Sequence, residues 1–134
     1  MAQNGEVCRH HFIIMKILSA KKITLFDGDQ EELFQSDHSI KCPLCHEDIN
    51  FKPSACQPLS DLHINSLSEI LTKLKGLKTI DMGDSKFYKV DNLPLRHIYI
   101  DCAQCNEKYL GLFGIGEYQP ARFIFKLVSL ISTE

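Results

Sequence analysis

Cys42-Pro-Leu-Cys45 and Cys102-Ala-Gln-Cys105 repeat one spacing at two distant places in the chain. A pair of cysteines separated by two residues serves three known chemistries. It can direct two sulfurs at one metal ion, form a redox dithiol, or attach haem when His follows, as His46 does here. Haem attachment requires export, which no leader in the sequence announces, and it leaves Cys102 and Cys105 unexplained. A thioredoxin-like dithiol sits between a strand and a helix, whereas strand-like sequence lies on both sides of each pair. Two knuckle turns supplying four thiolates are the tetrahedral set that structural Zn²⁺ prefers. One Zn²⁺ on Cys42, Cys45, Cys102 and Cys105 is therefore expected. A closed site of four thiolates keeps no open coordination position, so its role is structural and not catalytic. Zinc binding contributes about 10–16 kcal/mol in finger peptides, as much as the whole stability of a typical domain. Cys8 and Cys56 fall outside the pairs and read as buried free cysteines. "CRHH" at 8–11 (Cys8, His10, His11) and His46 are the alternative metal donors.

Positioning two such turns requires a folded domain, and the composition allows one. The chain has 134 residues, with 44% hydrophobic and 24% charged side chains. That length suits a single zinc-binding domain over 1–134, with residues 1–10 as a loose N-terminus. The formal net charge is −2, and four thiolates on one Zn²⁺ would make it about −4. A nucleic-acid binder ordinarily carries a basic surplus. No run reaches the ~18 apolar residues of a membrane span. The expectation is a cytoplasmic protein whose thiols stay reduced and bind metal instead of forming disulfides.

The apolar patterning reads as α+β: a mostly antiparallel sheet, one clear helix and two zinc-knuckle turns. "FIIMKIL" (12–18) and "KITLF" (22–26) read as strands, with "SAK" between them as a hairpin turn and "DGD" (27–29) as another turn. Ile49 and Phe51 alternate with polar residues after the first Cys pair. Leu67, Ile70, Leu71 and Leu74 form the stripe of a helix over about 67–75, with Ser66 as N-cap, Glu69 completing a capping box and Gly76 as the stop. "KFYKV" (86–90), "RHIYID" (96–101), "KYLGLF" (108–113) and "ARFIFKLVSLI" (121–131) read as strands. The last is apolar on both sides, as in a central strand, with Phe123, Phe125, Leu127 and Ile131 on one face. "GLFGIGEYQP" (111–120) reads as a hairpin loop.

Nothing in the sequence spells an enzyme. There is no P-loop, no dinucleotide fingerprint, no H-E-x-x-H and no nucleophile elbow. A zinc deaminase needs H-x-E or C-x-E upstream of P-C-x-x-C, and neither pair is preceded by Pro. A binding protein is the better reading. Asp27, Asp29, Glu31, Glu32 and Asp37 lie together with no Lys or Arg among them, as a docking loop for a basic protein would. Leu33 and Phe34 are its apolar anchors, and Tyr118, at an exposed loop tip, is a second contact. Lys73, Lys75, Lys78, Lys86 and Lys89, with Phe87 and Tyr88, are the competing nucleic-acid surface.

The C-terminal segment "YIDCAQCNEKYLGLFGIGEYQPARFIFKLVSL" resembles the tails of small bacterial immunity proteins of polymorphic-toxin systems, including the immunity partners of contact-dependent growth inhibition toxins. The likeness is a Cys pair, an aromatic strand, a Gly-Glu-aromatic-Gln-Pro loop and a final apolar strand. It implies a cytosolic, non-catalytic protein that binds and neutralises a cognate toxin, often a basic nuclease. The expected function is thus a zinc-stabilised immunity protein, with a zinc-ribbon nucleic-acid-binding accessory protein as the alternative.

Overall fold

In the computed structural model, residues 15–19, 22–59, 67–83 and 85–133 are described. Strands and helices run in the order β1 (Met15–Ser19), β2 (Ile23–Gly28), α1 (Gln30–Gln35), β3 (His38–Lys41), β4 (Asp48–Phe51), β5 (Gln57–Pro58), α2 (Leu67–Leu71), β6 (Leu77–Met82), β7 (Ser85–Val90), β8 (Leu93–Asp101), β9 (Lys108–Gln119) and β10 (Arg122–Thr133). A short 3₁₀ turn, Pro53–Ala55, precedes β5. The fold is α+β and mostly antiparallel sheet.

The long C-terminal run does become a central strand. β10 pairs with β9 along one edge and with both β1 and β2 along the other. The principal path of the sheet is β1-β10-β9-β8-β7-β6, with β2 also on β10 and β5 on β8. β1 and β2 are therefore not partners in the hairpin expected around "SAK", of which Ala20 and Lys21 lie outside the described residues. β1 and β2 both run antiparallel to β10, covering Leu130–Thr133 and Phe123–Leu127 in succession. They are two pieces of one edge, because β10 is long enough to accept both end to end. β3 and β4 form a separate hairpin with His38 opposite Phe51 and Lys41 opposite Asp48.

Side chains alternate across the main sheet and fill a core on each face. Tyr109, Phe113 and Ile115 of β9, with Ile98 and Ile100 of β8, pack against Leu33 of α1 and Ile40, Ile49 and Phe51 of the β3–β4 hairpin. Leu110 and Leu112 of β9 face the other way, onto Ile70, Leu71 and Leu74 of the α2 region and Val90 of β7. On the first face Phe113 stacks on Phe125 at 5.0 Å between ring centroids, and Phe51 meets Phe113 at 5.3 Å. This aromatic group fastens the small hairpin to the large sheet. Gly111 sits in the same row because a Cβ there would come within 2.6 Å of the Phe113 ring.

One expected face is corrected by a bulge. Leu112 of β9 pairs with Ser129 but Phe113 pairs with Leu127, so Val128 is an extra residue in β10. An extra residue reverses the alternation beyond it. Leu130 thus joins Phe125 and Leu127 in the first core, and Ile131 joins Val128 in the second.

Helical structure differs from the expectation in two ways. α2 ends at Leu71 and is followed by turns up to Gly76, whose φ of +80° closes them. The proposed cap Ser66 lies outside the described residues, as do the strand positions 12–14. A second helix, α1, occupies part of the acidic run. "DGD" is not a free turn: Asp27 and Gly28 end β2, and Asp29 caps α1 by accepting a 2.8 Å hydrogen bond from the Glu32 N–H. The 111–120 stretch is not a loop either. β9 continues through Gln119, and the chain reverses at Pro120 and Ala121, with Ala121 at φ 63°.

Candidate metal centre

The two Cys pairs occupy matching turns at one end of the first core. Cys42 through Glu47 joins β3 to β4, and Cys102 through Glu107 joins β8 to β9. Each turn closes with the same two backbone bonds. The Cys42 N–H donates to the Glu47 carbonyl at 2.8 Å and the His46 N–H to the Cys42 carbonyl at 2.9 Å. The Cys102 N–H donates to Glu107 at 2.9 Å and the Asn106 N–H to Cys102 at 2.8 Å. The residue after each second cysteine must take a left-handed conformation, and His46 (φ 67°) and Asn106 (φ 65°) do so. His and Asn are among the non-glycine residues that tolerate it best.

These turns bring the four sulfurs within 4.8 Å of one another. Between the turns, Cys42 Sγ lies 3.7 Å from Cys105 Sγ, and Cys45 Sγ lies 3.5 Å from Cys102 Sγ. A tetrahedral ion with metal–sulfur bonds of about 2.3 Å requires sulfur–sulfur edges of about 3.8 Å. The cluster is already near that size, and it could hold one metal ion. Cys42 and Cys102 are buried while Cys45 and Cys105 are half-buried.

The electrostatics disfavour four thiolates side by side. Burial acts to raise the Cys42 thiol, but the backbone N–H of Cys45, the Tyr109 hydroxyl and the backbone N–H of Leu44 outweigh it and bring it down to about 6. Cys105 goes the other way. The Glu107 N–H favours its thiolate, yet burial and the three neighbouring thiols push it up to about 12. Cys45 is also raised: the Glu47 N–H favours its thiolate, but burial and Cys102 outweigh it. Four thiolates this close cannot all stay ionised without a positive charge among them.

Sequence reasoning missed Tyr109. Its ring is buried in the first core, and its hydroxyl lies 3.1 Å from Cys42 Sγ. Burial and that sulfur raise its own pKa, so the hydroxyl keeps its proton and can donate to a thiolate. A signal existed. Tyr109 lies on the core-facing row of β9, just beyond the second pair, which points it back along the hairpin toward the sulfurs.

The other expected donors do not join. His46 is exposed on the turn and lies outside the sulfur cluster. Cys56 is half-buried against the first core. Cys8, His10 and His11 lie outside the described residues.

The expected docking residues divide. Asp27 accepts hydrogen bonds from the Tyr118 hydroxyl and from Arg122, each at 2.7 Å, and these bonds hold its carboxyl below its ordinary range. Tyr118 is exposed but lies on β9, tied across the sheet to β2. Asp37 pairs with Lys52 at 2.8 Å. Leu33 is fully buried beneath α1 and is not a surface anchor. Glu31, Glu32 and Phe34 remain exposed on α1, and Asp29 is committed to its cap.

Compared with known proteins, the chain matches no family model, no curated protein and no solved structure.

Proposed function

We propose that this chain is a zinc-stabilised, non-catalytic binding protein that neutralises a basic toxin domain, the role its C-terminal resemblance implies. The observation that supports the zinc-stabilised, non-catalytic part of the reading is the closed sulfur cluster. Four cysteines from two rigid turns satisfy a tetrahedral ion completely and leave no position for substrate or water. Zinc suits an all-thiolate tetrahedral set better than magnesium or calcium, which require oxygen donors. Among the described residues no other group of three or more potential ligands gathers. The site thus acts as a clamp between the β3–β4 hairpin and the β8–β9 turn. What it supports is a surface, and α1 offers Glu31 and Glu32 beside the exposed ring of Phe34. Acidic charge accelerates encounter with a basic partner, and an aromatic anchor slows its release.

Elemental analysis of untagged protein should give one zinc per chain, and Cys45→Ser should lower zinc content and thermal stability together. For the partner, Asp29 must stay intact, because reversing it would remove a helix cap and confuse folding with binding. The informative variant is Glu31→Lys with Glu32→Lys. A basic toxin domain recovered from the native host should bind this variant at least about tenfold more weakly, or ~1.4 kcal/mol. Zinc content should not change. Unaltered affinity would remove α1 as the contact.

A second reading has one specific observation in its favour. On the β6–β7 hairpin, Lys78 lies opposite Lys89 and Ile80 opposite Phe87, and Lys89 Nζ sits 5.9 Å from the Phe87 ring centre. Basic and aromatic side chains on one ribbon face, with Lys78 and Phe87 exposed and Lys89 half-buried, resemble a single-stranded nucleic-acid footprint. Tyr88 does not belong to it, since it packs against the second core. Salt-sensitive, micromolar binding of single-stranded RNA at physiological salt would promote this reading over the first.

A further inference from the structure

A cleft of about 390 Å³ opens where the first core meets solvent, at the end remote from the sulfur cluster. Its walls are apolar: Phe34 of α1, Pro53 of the 3₁₀ turn, Pro94 of β8, Ile115 of β9 and Phe123 of β10. Ligand sites ordinarily occupy about 300–1,000 Å³, with apolar walls and a few fixed polar groups. Here the single charged group in the lining is Arg96 of β8. It lies at the head of the row that continues through Ile98 and Ile100 to Cys102, about 20 Å along the strand at about 3.3 Å per residue. Arg96 belongs to none of the ion pairs among the described residues. The thiol of Cys56 lines the same cleft, and burial pushes it up to about 12 against the pull of the Arg96 charge. It is therefore neutral at ordinary pH and leaves the guanidinium unbalanced.

A guanidinium that no ion pair among the described residues engages, at the edge of an apolar, aromatic-walled cleft, is complementary to an aromatic anion. From the cleft and its lone charge we infer that this chain binds a small aromatic monocarboxylate, with the ring between Phe34 and Phe123 and the carboxylate on Arg96. Arg is suited to this because its planar fork meets both carboxylate oxygens at once. Gln30 and Ser54, also in the lining, supply further hydrogen-bonding groups near the mouth.

The test uses naphthylacetate, its primary amide and the matching naphthylethylamine as probes, titrated into the full-length metal-loaded protein. The chain has no Trp, so naphthalene fluorescence reports binding without interference from indole and calorimetry gives stoichiometry. The acid should bind saturably, one per chain, and at least about tenfold more tightly than the amide, with the amine weakest. Arg96→Met should abolish the preference for the acid while leaving the amide unchanged, and Arg96→Lys should retain part of it. Metal content of each variant reports that the fold is intact, because the sulfur cluster lies at the other end of the core. Phe34→Ala, a change at an exposed side chain, should weaken acid and amide alike. Equal affinity for acid and amide, an unchanged preference in Arg96→Met, or no saturable binding would each overturn the inference. A peptide with a free aromatic C-terminus that binds more tightly than naphthylacetate would overturn the assignment to a small molecule.

Discussion

Tyr109 couples the sulfur cluster to the core through one atom. Its ring is locked by the packing of β9, so its hydroxyl is presented to Cys42 Sγ at 3.1 Å with little freedom to lose. Groups that hydrogen-bond a metal ligand fix its orientation and tune its charge, and removing one commonly costs about 10–100-fold in metal affinity. Tyr109→Phe keeps the ring and removes only the hydroxyl. It should leave one metal per chain at saturation, yet release the ion to a competing chelator at least about tenfold faster. Cys56→Ser should change neither number, because Cys56 lies outside the cluster. Acid should weaken the metal as well. Cys45 and Cys105 hold their protons above the ordinary thiol range, so binding must displace those protons, and affinity measured in buffered chelator should fall as pH falls. The clustering of the four cysteines was legible from spacing alone, since a two-residue gap between strands leaves few ways to aim the sulfurs. The hydroxyl was not, because a tyrosine in a strand looks the same whether its tip meets solvent, a carbonyl or a thiolate.

Turn chemistry sets the elements, and two positions show how closely. Asp91 (φ 53°) and Asn92 (φ 67°) both take left-handed conformations between Val90 and Leu93, which is the two-residue turn that matches the twist of paired strands. The Asp91 carboxylate then accepts from Lys22 at 2.8 Å, and its N–H reaches the Gly76 carbonyl at 3.3 Å. Gly76 must itself hold φ +80°, and a Cβ there would come within 2.5 Å of the Asp91 carboxylate. Gly76→Ala therefore meets conformational strain and displaces an ion pair at once. It should cost about 1 kcal/mol or more and lower the melting temperature by about 3 °C or more, while metal content stays at one per chain. A melting temperature equal to the parent's would show that the 72–76 turns can rearrange. Gly76 was legible as a stop. The path of β1 and β2 was not, because a short polar interval between two apolar runs reads equally well as a hairpin turn or as a break in one edge strand. The length of β10 decides between them, and that is a long-range fact. Likewise no local pattern announced Val128 as the bulge that exchanges Leu130 and Ile131 between faces. Apolar residues on both sides of a central strand hide a change of parity.

At the scale of the whole molecule, the β3–β4 hairpin is the part that a metal at the sulfur cluster would do most to hold. Among the described residues its two strands pair only with each other. An isolated two-stranded hairpin is marginal in water and needs packing on one face to persist. Its anchors are Ile40, Ile49 and Phe51 in the first core at one end and Cys42 with Cys45 at the other. The sheet beneath is different. β9 and β10 are twelve-residue strands, each paired along both edges. Local stability differs across a protein, and segments with few fastenings open first. Removing the metal should therefore lower the melting temperature and expose the molecule unevenly. Hydrogen exchange after chelation should accelerate at the backbone amides of Ile40 and Ile49 by at least about tenfold, equivalent to ~1.4 kcal/mol of local stability. The amides of Leu112 and Phe125, in the middle of the large sheet, should change much less. Restoring one equivalent of metal should restore the slow exchange. Equal acceleration in both regions would mean that the ion holds the entire fold and not one hairpin. No acceleration in β3–β4 would mean that the aromatic contacts of Phe51 with Phe113 and Phe125 suffice to hold the hairpin alone.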